Sequence, residues 1–444
     1  MKRVLIVTYH FPPSNEVGAL RPSKFAEYLP EFGWEVQVLR ADSQIRAEGG
    51  AQFVVDRPLD VESAPQWPGL RECAQRVSGR AAKAADAVGV PQVDSGWAES
   101  YQVSASRRPL RDLVYSLMWL PDDKQGWILP AVRQGLRMIR ANRPDALLVT
   151  SPPHSVQVIG LLLSKIADVP LVADFRDPWV GNPATPDFIR AGPTPRIHGW
   201  LEDAVLSRAA AVLTTTGQHA KTLEHRRSAG PRKFHVVPNG FDAAMFDGLR
   251  TGGSDRFTIT YAGNFYHTRT PEPLFKAIGM LRDHQGVDTS RIVVNLLGDC
   301  EFAGGRSVLD MARQAGCESS VVVRGRLPHG DVLGHLVRSD LLLLLATGQP
   351  EQVPAKAYEY LAAGPPILAL VDRGATAELL SHAAEVDLLF TDEPAEIARS
   401  LAARLGAWSP RPDGMWSCPE AAREFDRRET ARGLAELLTR AGVN

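Results

Sequence analysis

The sequence has few cysteines and gives them no partners. Only Cys73, Cys300, Cys317 and Cys418 occur in 444 residues, with no Cys-x-x-Cys pair and no His at metal spacing beside them. A disulfide framework and a structural zinc site are both disfavoured. No apolar run approaches the ~20 residues that span a bilayer. The opening run Val4-Leu5-Ile6-Val7, behind Lys2-Arg3, stops at Tyr9-His10, too short for the core of a secretion signal. A soluble cytoplasmic chain is expected. Charge of one sign is also lacking, since 50 Lys+Arg face 51 Asp+Glu. A protein that lives on nucleic acid needs a basic footprint, so nucleic acid is not an expected partner. No Gly-x-Gly-x-x-Gly follows the first apolar run, which disfavours a dinucleotide oxidoreductase.

What is present is length and rhythm. A chain of 444 residues suits two or three domains. Residues 1–240 carry 29 Lys+Arg against 24 Asp+Glu, a net of +5, while residues 241–444 carry 21 against 27, a net of −6. In the front half, Val4–Thr8 reads as a buried strand, Arg21–Phe32 as a helix and Glu35–Leu39 as a second strand, the grammar of a right-handed βαβ unit with a parallel sheet. It returns at Ala146–Thr150, Ser155–Ala167 and Leu171–Ala173, then at Ile197–Ala211, Ala211–Thr215 and His235–Val237. Residues 44–112 break the rhythm and read as an insertion of irregular structure and short helices. Met118–Ile139 resumes helical character, with Trp119 and Trp127 flanking the polar turn Pro121-Asp122-Asp123-Lys124.

After Pro238-Asn239-Gly240-Phe241-Asp242 the pattern restarts. Strands are expected at Thr258–Ala262, Arg291–Leu297, Val321–Arg324, Leu341–Leu345 and Ile367–Leu370. Helices are expected at Pro271–Leu281, Gly330–Arg338, Ala355–Ala363 and Glu393–Leu405, with a long amphipathic helix over Cys418–Ala441. This predicts an α/β protein with an acceptor-side domain over 1–240, a second domain over 241–417 and a C-terminal helix over 418–444 packing back toward the first.

The most informative segment is Glu351-Gln-Val-Pro-Ala-Lys-Ala-Tyr-Glu359-Tyr-Leu-Ala-Ala-Gly364-Pro365-Pro366. Pro354 opens a helix without loss, because an amide of the first turn has no intrahelical partner. The amides around Ala355 and Lys356 then offer an anion site reinforced by the helix dipole. Glu359, about one turn inward, is placed to accept hydrogen bonds from paired hydroxyls such as those of a ribose. Glu351 stands outside the helix.

This spacing, with Pro-Ala-Lys, Glu-Tyr-Leu-Ala-Ala-Gly and a following Pro-Ile-Leu-Ala strand, resembles the Glu-x7-Glu element of retaining family-4 glycosyltransferases (glycosyl transferases group 1). The resemblance implies a GT-B fold: two doubly wound Rossmann-like domains facing a central cleft. It also implies that Glu359 holds the nucleotide ribose and that Glu351 lies beside the donor sugar. Tyr9-His10-Phe11-Pro12-Pro13 through Gly18 looks like the family's first loop, where Gly18 admits a phosphate and the amides of Gly18 and Ala19 donate to it. Pro238-Asn239-Gly240-Phe241-Asp242 is similar to the family's junction sequence, a tight turn.

Tyr261-Ala262-Gly263-Asn264-Phe265-Tyr266 resembles the donor-phosphate loop, with one departure. The family has a basic residue after the Gly and a Lys a few positions on, where this chain has Asn264 and Thr270. Arg269, Lys356 and Arg326 are the substitute candidates for neutralising the diphosphate. In the front domain, Thr150-Ser151-Pro152-Pro153-His154-Ser155 and Asp174-Phe175-Arg176-Asp177-Pro178-Trp179 fall just beyond strand ends, where open α/β sheets bind ligands. His154 is therefore a catalytic candidate lining the acceptor side, and Arg176 and Asp177 are acceptor-side candidates. The competing readings are a Ser151 or Ser155 helix cap and an Arg176–Asp177 pair that only braces the loop.

The expected reaction is transfer of a sugar from a nucleotide-diphosphate sugar to an acceptor hydroxyl, with retention implied by the resemblance. No Asp-x-Asp stands where a metal–diphosphate site is expected, so transfer without a metal and without a cofactor is predicted, the nucleotide sugar being the donor substrate. The acceptor stays open among a lipid-linked carrier, a polysaccharide and a small natural product, with peripheral membrane contact as a further expectation. A nucleotide-sugar 2-epimerase of the same architecture and a catalytically silent nucleotide-sugar binder are the alternatives.

Overall fold

The computed structural model describes residues 1–14, 16–42, 55, 57–70, 72–73, 109–182, 185, 189, 192–226, 233–265, 269–381, 383 and 385–440. Most of the expected insertion at 44–112 lies outside the described residues. Two compact units are present: Met1–Pro238 with the chain's end from Thr430, and Asn239–Glu429.

The front unit is built on seven strands: β1 (Lys2–Thr8), β2 (Trp34–Asp42), β3 (Asp60–Pro65), β4 (Ala146–Ser151), β5 (Leu171–Phe175), β6 (Ala211–Thr214) and β7 (Phe234–Val236). They pair in the order β3-β2-β1-β4-β5-β6-β7, every pair parallel. Among the crossovers are α1 (Val17–Tyr28), α2 (Pro109–Met118), α3 (Ile128–Ala141), α4 (Ser155–Ala167), α5 (Thr194–Arg208) and α6 (Gly217–Arg226). The rear unit repeats the plan with β8 (Phe257–Ala262), β9 (Ile292–Leu297), β10 (Val321–Gly325), β11 (Leu341–Ala346), β12 (Ile367–Val371) and β13 (Val386–Leu389). Its order is β10-β9-β8-β11-β12-β13, again all parallel. The helices here are α7 (Glu272–Gln285), α8 (Val308–Gln314), α9 (His329–Arg338), α10 (Ala355–Ala363), α11 (Ala375–Leu380) and α12 (Pro394–Ala407). Both sheets reverse direction beside their first strand, the switch point where doubly wound folds take ligands.

Helices on both faces explain why the strands read as unbroken apolar runs. Leu5 and Val7 enter one core cluster of the front sheet, and Val4 and Ile6 enter the other. In β11, Leu341, Leu343 and Leu345 face one way, Leu342, Leu344 and Ala346 the other. The edge strand β3 lies inside the segment expected to be irregular. It is mostly exposed and polar, so it carries no apolar signal, yet it pairs with β2 along its whole length.

Helix α1 starts at Val17 rather than Arg21 and holds Pro22 in its interior. Pro22 has no N–H for the carbonyl four residues back. That carbonyl, Gly18 O, instead accepts a bond of 2.6 Å from Arg176 Nη1. Of the helical character expected over Met118–Ile139, the part after the polar turn Pro121–Lys124 is α3, preceded by a 3-10 turn at Gln125–Trp127, while α2 ends at Met118. The helix expected over Cys418–Ala441 is two elements, a 3-10 turn at Glu420–Phe425 and α13 (Arg427–Arg440), separated by the extended Asp426. On α13, Ala431, Leu434, Ala435 and Leu438 form an apolar stripe buried with Phe25 and Leu29 of the front unit. Among the described residues no helix is long and apolar enough to cross a membrane.

Candidate functional site

At the strand ends of the front sheet the charged side chains are paired. Arg176, just after β5, directs Nε to Ser151 O (3.1 Å), Nη2 to Pro152 O (2.6 Å) and Nη1 to Gly18 O. Its guanidinium thus braces its loop against two segments, Ser151-Pro152 and the first turn of α1, a role akin to the bracing Arg176–Asp177 pair that stood as the alternative to acceptor binding. Asp177 lies half-buried beside it. Asp174, also at this edge, forms a two-pronged pair with Arg21 at 3.0 Å, both side chains buried, and accepts from the Thr150 hydroxyl. The amide of Ala19 is bonded to Glu16 O at 2.8 Å, so it is not directed at a ligand as expected. A Cβ on Gly18 would meet His10 Cδ2 at 3.2 Å and both terminal nitrogens of Arg176 at 3.5 Å.

His154 precedes α4 and stacks on Trp179, with ring centroids 5.0 Å apart and planes 1° from parallel. Trp179 in turn donates to His198 Nδ1 at 2.9 Å. Burial pulls His154 down to about 3, with the charges of His198, His219 and Arg176 acting the same way. It is therefore a neutral imidazole at pH 7. The first turn of α4 is capped from a distance: Asp122 accepts from Ser155 N at 2.7 Å and from the Ser155 hydroxyl. Nothing local in the sequence announces that cap.

The rear edge is different. β8 ends at Ala262, and Gly263 follows with φ of +129°. A Cβ there would be strained and would meet Lys356 Nζ at 2.7 Å. Glycine is what lets the ammonium approach this loop. Lys356, in the first turn of α10, lies over the Tyr261 ring at 4.0 Å from its centroid. Burial pushes its pKa down to about 7, the Arg269 guanidinium pushes further, and Cys300 and Glu359 oppose. Arg269 donates to Gln349 Oε1 at 2.9 Å. Gly263, Lys356 and Arg269 are thus brought together beside the N-terminus of α10, whose cap residue is Pro354 and whose first residue is Ala355.

Asn264 does not supply charge here. Its Oδ1 accepts from Asp299 N at 3.0 Å and its carbonyl from the Tyr261 hydroxyl at 2.8 Å, so it staples the two loops that follow β8 and β9. Thr270 accepts from Glu272 N at 3.2 Å at the start of α7. Cys300 donates its thiol to Gly263 O at 3.1 Å and is held neutral, pushed up to about 12 by burial. Arg326 is paired through Nε with Asp299 at 2.8 Å, and its side chain is 79% exposed. Of the three basic candidates, Lys356 and Arg269 converge and Arg326 does not join them.

Glu351 lies in the loop before α10, which is pinned by Gln352 N to Gln349 O and by the Thr376 hydroxyl to Gln352 O. Glu359, inside α10, accepts at Oε1 from His329 Nε2 at 2.9 Å. Burial draws the His329 imidazole down, but the hydrogen bond and charge of Glu359 outweigh it and leave the pKa raised. Tyr261, His329 and Asp299 were not singled out in the sequence. A residue opening a helix just past a strand of a parallel sheet, as His329 does past β10, is the signal that could have found it. Among the described residues no group of three or more His, Cys, Asp or Glu side chains is arranged to hold a metal ion.

The glycosyl transferase 4-like domain matches residues 19–240 of the chain, half its length. The chain belongs to the glycosyl transferase 4-like family. It is a glycosyltransferase with the GT-B fold of paired Rossmann-like domains. Solved structures of similar fold include HepE of Anabaena in complex with UDP and glucose, at 14% identity over 99% of this chain and 100% of that one, with a TM-score of 0.60. Sucrose-phosphate synthase of Thermosynechococcus elongatus matches at 13% identity over 99% and 95%, TM-score 0.57. A candidate UDP-N-acetylglucosamine 2-epimerase of Listeria monocytogenes matches at 12% over 98% and 95%, TM-score 0.54. A transferase and an epimerase on one architecture mean that the likeness carries the fold and not the reaction. No curated protein matches the chain in sequence.

Proposed function

We propose that the protein moves a sugar from a nucleoside-diphosphate sugar to an acceptor hydroxyl, with retention and without a metal ion. One observation carries the reading: the Lys356 ammonium, held over Tyr261 and against Gly263 with Arg269 nearby, at the first turn of α10. Charge on a departing diphosphate grows as the sugar–phosphate bond breaks. Preorganised donors aimed at that charge stabilise it without reorganising. The amides of Ala355 and Lys356 add the helix dipole, and two basic side chains do what a divalent cation would otherwise do. Glu359 accepts from the ribose hydroxyls, and Glu351 faces the donor sugar. Gly263 and Asn264 shape the phosphate loop, and Gly18 keeps the front loop thin enough for a phosphate. His154 and Asp177 remain acceptor-side candidates, with Arg176 bracing the loops that carry them.

The UDP seen in HepE makes uridine diphosphate the first ligand to try. Calorimetry with uridine, guanosine, thymidine and adenosine diphosphates is expected to find one that binds. Lys356→Ala is expected to weaken that ligand roughly 10- to 100-fold, the range for a charge-assisted hydrogen bond. An unchanged affinity would remove Lys356 from the site and the reading with it. With the matching nucleotide sugar, slow donor hydrolysis by the wild type and not by Glu351→Ala is expected.

A further inference from the structure

Within the proposed donor site, Glu359 is held by a second side chain. Glu359 is a flexible side chain, and an unbraced carboxylate must lose rotamer freedom before it can receive two hydroxyls in a fixed geometry. In the rear unit it is already braced. His329 is the first residue of α9, and Pro328 before it accepts from the amides of Asp331 and Val332 at 3.0 and 3.1 Å. The imidazole is thereby mounted on the rigid start of a helix. From there Nε2 reaches Glu359 Oε1 at 2.9 Å, with the two side chains only 22% and 16% exposed. An ionised carboxylate can only accept, so the shared hydrogen belongs to Nε2. Within the described residues Oε2 of Glu359 makes no hydrogen bond. One oxygen is held by protein, and the other keeps its acceptor capacity.

We propose that His329 is a positioning residue for the nucleotide: by fixing Oε1 it presents the Glu359 carboxylate to the paired ribose hydroxyls, and so determines how well the protein tells a ribose from a sugar lacking them. His329 touches no reacting atom in this arrangement. Its effect passes through Glu359, and it rests on the donor reading above. A bond from a side chain that is itself anchored acts by preorganisation, so its loss relaxes selectivity for the hydroxyls more than it weakens contacts to the diphosphate.

The test compares uridine diphosphate with its 2′,3′-dideoxy analogue by calorimetry on the full chain; the guanosine or adenosine pair is used if that base is the one bound. The wild type is expected to prefer the ribose form by roughly tenfold or more, the range of hydrogen bonds to a charged acceptor. Glu359→Ala should abolish the preference. His329→Leu should reduce it to within about threefold, and His329→Gln, which keeps an N–H donor, should restore part of it. A merely structural role for His329 would weaken both ligands alike and leave their ratio untouched. If Glu359→Ala removes the preference and neither His329 variant changes it, the positioning role falls and the donor site stands. If Glu359→Ala leaves the preference intact, the ribose reading falls and takes the role of His329 with it. His329→Gln keeps the question answerable should the leucine variant fail to fold.

Discussion

The two units share one topology and use their strand ends in opposite ways. In the front unit the charged groups at the sheet's carboxyl edge are matched. Arg21 meets Asp174, Arg176 meets three carbonyls, and His154 is a neutral ring stacked on Trp179. In the rear unit the same edge keeps a cation that its surroundings discharge easily, Lys356, next to an arginine and a braced carboxylate. A matched set of charges holds shape. An under-neutralised set holds affinity for whatever brings the missing charge. The same topology therefore carries matched charges at one strand edge and a lysine of depressed pKa at the other.

The comparison can be broken most severely in the front unit. Asp174→Ala would strand the Arg21 guanidinium in the interior, and removal of one partner from a buried pair costs about 3–5 kcal/mol. Chemical denaturation should reveal the loss; a change below about 1 kcal/mol would mean that water reaches Arg21 and the edge is not closed.

The rear unit should respond next, through pH. With Lys356 near 7 when the site is empty, a bound diphosphate favours the ammonium and raises its pKa. Affinity should be flat below about 7, apart from protonation of the ligand's own phosphate. Above 7 it should fall toward roughly tenfold per pH unit as binding takes up a proton. Calorimetry in buffers of different ionisation enthalpy measures that uptake, and none above pH 7 would contradict the depressed lysine.

The front unit has an opposite acid-side signature. His10 and His154 are pulled to about 3 by burial, and His198 and His219 to about 4. The unfolded chain binds more protons than the folded one once pH drops below about 6.5. Each such ring then withdraws about 1.4 kcal/mol per pH unit until its folded value is approached. His219→Leu should flatten this slope. Neither of its buried ring nitrogens has a hydrogen-bond partner among the described residues, so stability at pH 7 should hold or rise. Unfolding midpoints between pH 7 and 5 test both parts.

The smallest effect is expected at Arg326→Ala. Its pair with Asp299 is solvent-exposed, and such pairs are worth about 0–1 kcal/mol. Nucleotide affinity should stay within about twofold, and a larger drop would return Arg326 to the donor site.

Periodicity was enough to announce both sheets, because strands buried on two faces must be apolar throughout. The segment from Glu351 to Gly364 was legible for a related reason: a proline start, a glycine stop with φ of +91° at Gly364 and two acids at fixed spacing are all local signals. Strand β3 was not legible, since an exposed edge strand needs no apolar residues. Neither was the bond between Arg176 and the carbonyl that Pro22 leaves open, which joins residues 158 positions apart.

Local chemistry in the sequence determined the doubly wound plan, the glycine at 263 and the carboxylates before and within α10, because each depends on backbone preference or on neighbours a turn away. Tertiary structure alone decided which charges are matched and which are left wanting. Lys356 owes its low pKa to burial and to the Arg269 guanidinium, and Glu359 is held by His329. A side chain's proton affinity and aim follow from what surrounds it in space, and those surroundings come from strands and loops far apart in the chain.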